Sequence, residues 1–150
     1  MINTIIFDFG DIFINLEKDK ALEEFEKLGL RGPNAELLEA NEMFERGQIK
    51  ENQFLETFQK FLSNADIEEI RSAWNAVIGE FPLYRLEFLQ LLSTKYRLFL
   101  LTNTDQIHIS KFEENVGASF FSDFFNVLKK YIIRLKWACV NQIHKSSVIY

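Results

Sequence analysis

Thr4-Ile5-Ile6-Phe7-Asp8-Phe9-Gly10 opens the chain, and Leu98-Phe99-Leu100-Leu101-Thr102-Asn103-Thr104 answers it much later. Each stretch is a short apolar run that stops at polar residues. That pattern predicts strands buried on both faces of a parallel sheet. One strand ends at Asp8 and Gly10, the other at Thr102. Ligands in open α/β sheets bind at the carboxyl ends of strands, so these ends are where chemistry is expected.

The two runs bracket roughly 70 largely helical residues, whereas a whole βαβ unit takes about 30. The intervening pattern is helical. Ala21, Leu22, Phe25 and Leu28 recur at helical spacing before Gly29. Arg31-Gly32-Pro33-Asn34 predicts a turn with Asn34 as the next N-cap. Phe54, Leu55, Phe58, Phe61 and Leu62 predict one buried helical face. Asp66 predicts the cap of a helix running through Trp74 and Ile78, and Leu86, Leu89 and Leu92 mark another after Pro82. One crossover helix plus an inserted helical unit accounts for this length. No internal repeat or low-complexity segment interrupts it.

An apolar fraction of 47%, with 16 Phe among 150 residues, suffices for a packed core. The net charge of -5 argues against a general nucleic-acid or membrane-surface role. That total hides a break. Residues 127–150 hold five basic side chains and no acidic one, leaving 12 basic against 22 acidic before them. With Cys139 alone, no intrachain disulfide forms, and a reducing cytoplasm is the default expectation. Asp8 and Asp11 interrupt the N-terminal apolar run, unlike a signal peptide, and no run approaches membrane-spanning length. A soluble cytoplasmic protein is expected.

A carboxylate at the tip of one strand can attack phosphorus and form an acyl-phosphate when a divalent cation offsets charge repulsion. A hydroxyl at the neighbouring tip, with backbone N–H groups, can hold the phosphoryl oxygens. The bland alternative is that Asp8 caps a turn and Thr102 ends a strand through local hydrogen bonds. Either residue alone favours that alternative; their joint placement at two strand ends shifts the balance toward chemistry.

Ile5-Ile6-Phe7-Asp8-Phe9-Gly10-Asp11-Ile12 resembles the first motif of the haloacid-dehalogenase-like (HAD) hydrolases. Leu100-Leu101-Thr102-Asn103-Thr104-Asp105-Gln106-Ile107-His108 resembles their second. Between them, residues 41–54 resemble the cap segment of the branch that contains alpha-D-glucose-1-phosphate phosphatases. The resemblance spans about residues 2–126. It implies an α/β fold with an incomplete Rossmann-like core at 1–16 and 86–127 and a helical cap at 17–85. It also implies Mg2+ and hydrolysis of a small phosphorylated metabolite, a class that includes sugar phosphates. On that resemblance Asp8 is the nucleophile and a metal ligand, the Gly10 carbonyl faces the metal, and Thr102 and Asn103 bind phosphate.

Gly10 stands where most phosphatases of this superfamily carry a second Asp, the general acid/base. Asp11 is the adjacent carboxylate, but in a strand-like continuation it faces the other way, so it is assigned no catalytic role. After Asn126 the lysine-proline and acidic motifs of the family do not follow. Back-translating Lys130 to Gln142 and reading from each codon's third base permits Val-Tyr-Tyr-Ser-x-Lys/Glu-Met/Val-Gly-Leu/Met/Val-Arg-Lys-Pro-Asp. This string resembles the missing third motif. A one-base shift near codons 126–128 would make residues 128–150 an out-of-frame tail, and this chain a truncated, weakly active or inactive phosphatase.

The competing expectation is a divergent C-terminus in which Tyr131, Ile132, Ile133 and Leu135 form a strand and Lys130 or Lys136 replaces the lysine. Cys139 and His144 alone do not make a zinc site. His108 is expected to cap or pack. Among rival functions, a phospho-receiver domain places its acceptor Asp on a middle strand, unlike Asp8. A non-catalytic interaction protein on the same fold is the serious alternative. Self-association through an uncovered sheet face is a further expectation.

Overall fold

The computed structural model describes residues 2–133. Three parallel strands run in the order β1 (Thr4–Phe7), β2 (Arg97–Thr102), β3 (Lys130–Ile133). Five helices separate β1 from β2: α1 (Lys18–Lys27), α2 (Ala35–Glu45), α3 (Glu51–Phe61), α4 (Ile67–Asn75) and α5 (Leu83–Ser93). Two more, α6 (Gln106–Val116) and α7 (Ala118–Val127), lead from β2 to β3. The α/β fold expected from the sequence is the fold observed.

Helix ends follow local chemistry. Asn34 caps α2 by accepting from the Leu37 N–H at 3.1 Å. Asp66 and Glu69 form a reciprocal capping box at the start of α4, with bonds of 2.8 and 2.9 Å. Each satisfies a helical N–H that has no partner within its own helix. Asp66→Ala should therefore lower stability by about 1 kcal/mol in urea unfolding, with little change in the m-value.

Two hydrophobic clusters form. One gathers Phe25, Leu37, Phe44, Phe54, Leu55, Phe58, Leu62 and Ile70 from α1–α4 and their connections. The other joins Leu98 and Leu100 of β2 to Leu86 and Leu89 of α5, Phe112 of α6 and Phe124 of α7. Ile107, in the first turn of α6, belongs to the helical cluster, while Phe112 on the same helix belongs to the sheet cluster. So α6 spans both.

Several expectations need correction. The strands are not buried on both faces: Ile6 is 64% and Leu101 is 42% exposed, while Leu98 and Leu100 are buried. Ile5 pairs with Leu98 and Phe7 with Leu100 on the face that the helices cover; Ile6 pairs with Phe99 on the other. An alternating side-chain direction thus splits the apolar run. Phe61 is 41% exposed, because it lies at the edge of the helical face centred on Phe54 and Phe58. The helix capped by Asp66 stops at Asn75, and Ile78 instead bridges Leu16 in an antiparallel contact. Asp11 is not strand-like: it has φ 57° and sits in a turn.

At the end of the described residues, Tyr131, Ile132 and Ile133 do form a strand with Lys130, β3, and Leu128 just before it is buried in the sheet cluster. A strand here is compatible with either reading of the frame, since Val-Tyr-Tyr in the shifted reading is also strand-forming. Leu135, Lys136, Cys139 and His144 lie outside the described residues.

Candidate active site

The carboxyl ends of β1 and β2 lie side by side. Phe7, the last residue of β1, pairs with Leu100, so Asp8 follows one end while Thr102 closes the other. Adjacent strands are about 4.8 Å apart, so the two residues share one end of the sheet. Asp8 is exposed, and its Oδ1 accepts the Phe9 N–H at 2.7 Å. Thr102 is only 4% exposed.

After Asp8 the chain turns sharply. Phe13 N–H donates to the Phe9 carbonyl at 2.9 Å, and Asp11 N–H donates to that of Ile14 at 2.8 Å. The Asp11 carboxylate accepts the Leu16 N–H at 3.0 Å. It also lies 3.9 Å from the Lys18 ammonium, an exposed pair that contributes little. Arg85 of α5 donates to the Phe13 carbonyl at 2.9 Å, tying the turn to the sheet layer. Asp11 thus organises the turn, a role its sequence context did not reveal; its short acceptor and tolerance of positive φ are the available signal.

A cleft of about 420 Å³ opens between the sheet end and the helical cluster. Gly10, Thr102, Asn103 and Thr104 line it from the sheet side, and Ala21, Leu22, Phe25 and Trp74 from the helices. Asp8 itself is not among the lining residues; its neighbours Phe9 and Gly10 are. Of the sequence candidates, Gly10, Thr102 and Asn103 therefore meet in one cleft, with Asp8 at the same end of the sheet but outside its wall. Asp105 and His108, to which sequence reading assigned no chemistry, also line the cleft.

The chain crosses between the two clusters twice, and the crossings are paired. Asn15 N–H donates to Glu80 and Glu17 N–H to Val77, at 2.9 and 2.8 Å, while Gly79 N–H donates to Asn15 at 2.9 Å. A Cβ on Gly79 would stand 2.7 Å from the Asn15 carbonyl oxygen, a backbone atom with little room to move. Gly79→Ala should cost about 1–3 kcal/mol by overpacking, seen as a lowered urea midpoint. The same substitution at Gly10 meets the flexible end of Leu16 instead, at 2.9 Å, and should cost less.

Magnesium prefers an octahedron of oxygen donors, commonly with one or two carboxylates. Among the described residues no group of three His, Cys, Asp or Glu side chains is placed to hold a metal. The strand end offers the Asp8 carboxylate, already bonded to the Phe9 N–H, and the Gly10 main chain, which lines the cleft. These donors do not by themselves fit a complete magnesium site.

The parallel sheet, the helical segment inserted after its first strand, and the polar ends of β1 and β2 define the class: an α/β fold shared with the HAD family of enzymes. A HAD family enzyme of Bacteroides thetaiotaomicron, solved as a magnesium complex, superposes with a TM-score of 0.79 at 25% identity, over 89% of this chain and 68% of that one. A predicted HAD-like family hydrolase of Porphyromonas gingivalis matches with a TM-score of 0.69 at 20% identity, over 95% and 72%, a likeness of fold. The particular relative found by sequence is the D-ribitol-5-phosphate phosphatase of B. thetaiotaomicron, 28% identical over 116 residues. That match takes in 73% of this chain and 56% of the relative, so the chain spans little more than half the relative's length. No protein-family model matches. Together these likenesses support the HAD-like hydrolase superfamily, and phosphatases and hydrolases are what the chain is similar to. No described helix is long and apolar enough to cross a membrane.

Proposed function

We propose that this chain carries the nucleophile half of a phosphatase acting on a small phosphorylated metabolite. The supporting observation is the placement of Asp8 and Thr102 at the carboxyl ends of adjacent parallel strands. The phosphatase relative supplies the reaction class. A sugar or polyol phosphate is the substrate class this reading favours.

In this reading an Asp8 carboxylate oxygen attacks phosphorus as the ester P–O bond breaks, giving an aspartyl-phosphate and an alcohol. Water then attacks phosphorus, releasing inorganic phosphate and regenerating the carboxylate. Thr102 and Asn103 hold the phosphoryl oxygens while charge spreads over them. Gly10 leaves no acidic side chain two residues after the nucleophile, so the leaving group draws its proton from another source. We read the α1–α4 cluster, within residues 17–85, as the cap that closes over the substrate.

Positioning and charge neutralisation supply nearly all catalysis in phosphoryl transfer. The described donors are too few for magnesium, so turnover by this chain should be weak or undetectable. The test is single-turnover incubation with excess protein, p-nitrophenyl phosphate and Mg2+, followed by borohydride reduction. Homoserine at position 8 marks the acyl-phosphate, and Asp8→Asn abolishes it. A label on another residue, or p-nitrophenol release unchanged in Asp8→Asn, would remove Asp8 from this role. A chain that binds a protein partner stoichiometrically and never forms the adduct would instead favour a non-catalytic interaction protein.

A further inference from the structure

The first turn of α6 carries a buried polar cluster that the phosphatase reading does not use. Asp105 is 3% exposed and is, with Thr102, one of two buried polar residues among those described. Its Oδ1 caps α6 by accepting the His108 N–H at 2.9 Å. Its Oδ2 accepts the Trp74 Nε1–H at 3.1 Å and faces His108 Nδ1 at 3.0 Å. His108 Nε2 stands 3.1 Å from the Trp74 carbonyl, and the two rings stack with centroids 5.1 Å apart and 10° between planes.

We propose that Asp105, His108 and Trp74 form a latch that positions the phosphate-facing segment Thr102-Asn103-Thr104 against the helical cluster. Trp74 belongs to α4 and packs on Phe25, Phe54 and Phe58. Asp105 follows Thr104 directly, so any displacement of its carboxylate displaces the end of β2. A buried carboxylate is tolerated only when its acceptors are filled, and one of its donors comes from α4, across the cleft. Removing that donor leaves the carboxylate bonded directly only to His108 on its own helix, and unties it from α4 beside Thr102–Thr104. The imidazole stands between the same two groups: its Nδ1 lies 3.0 Å from the Asp105 carboxylate and its Nε2 lies 3.1 Å from the Trp74 carbonyl, and a neutral ring donates its one N–H to one of these acceptors. Ile107, seated in the helical cluster between these residues, anchors the same turn. These are positioning residues, and the inference rests on the phosphatase reading only for the purpose of the segment they hold.

The experiment needs no turnover, so its failure is separable from failure of that reading. Trp137 is replaced by Phe to leave Trp74 as the sole emitter, and backbone hydrogen exchange is followed in α4 and in residues 102–108. Asp105→Asn keeps an N-cap acceptor but loses the charge, and Trp74→Phe keeps an aromatic ring but loses the indole donor. Asp105→Asn should red-shift Trp74 emission. Each variant should speed exchange at 102–105 and in the last turn of α4 by about tenfold, as loss of one charge-assisted bond implies. Asp105→Ser, which retains only the cap, should match Asp105→Asn. Faster exchange confined to 106–109, with Trp74 emission unmoved, would show that Asp105 merely caps its helix and would overturn the latch.

Discussion

If residues 128–150 are an out-of-frame tail, shifting the reading by one base near codons 126–128 should raise p-nitrophenyl phosphate turnover in Mg2+ by about 10³-fold or more. The shifted string supplies a lysine directly before proline, as in the third motif that the resemblance implies. Groups that neutralise the transferring phosphoryl are worth about 10³ to 10⁵ in rate in comparable reactions. Asp8→Asn in the restored chain should return turnover to background. Equal turnover before and after the shift would exclude a frame change as the cause of weak activity. The DNA across those codons decides the matter sooner: synonymous choices that forbid the shifted string exclude a frame change. The acidic body and basic C-terminal stretch, with five positive and no negative side chains after residue 126, motivate the proposal.

Phe124→Ala should destabilise the chain by about 3–5 kcal/mol, a large share of a domain's usual 5–15 kcal/mol. Phe124 is fully buried, and its ring meets Phe9, Phe13, Phe81, Phe112 and Phe125 at centroid distances from 5.0 to 5.9 Å. Two of those partners, Phe9 and Phe13, belong to the turn that follows Asp8. Loss of this ring therefore opens a cavity beneath the nucleophile turn as well as in the sheet layer. Ile6→Thr is the matched control: Ile6 is 64% exposed, and its loss should cost within about 0.5 kcal/mol. Urea unfolding monitored by circular dichroism reads both. A cost at Ile6 comparable with that at Phe124 would mean that the outer sheet face is covered in solution, by association or otherwise.

Much of the local structure was written in short-range patterns. Asn34 and Asp66 announce their helices because each offers an oxygen to a helical N–H three residues on. The apolar runs ending at Asp8 and Thr102 mark two strand ends, and these strands pair in parallel. Asp105 was less legible. Its capping position is a local signal, but its partner Trp74 lies 31 residues away, and helical spacing alone reads Trp74 as core. The exposed Ile6 and Leu101 were also misread, because a run of apolar residues cannot say which of its alternating sides the helices will cover.

Residue order alone thus determined where strands and most helices begin, and which carboxylate and hydroxyl end the two leading strands. Only tertiary structure decided that Gly10, Thr102 and Asn103 share a cleft while Asp8 stands outside its wall. It likewise decided that a buried carboxylate draws a donor from across that cleft. The physical reason is range: caps, turns and strand periodicity act over a few residues. Which side chains meet depends on how two hydrophobic clusters pack around the first turn of α6.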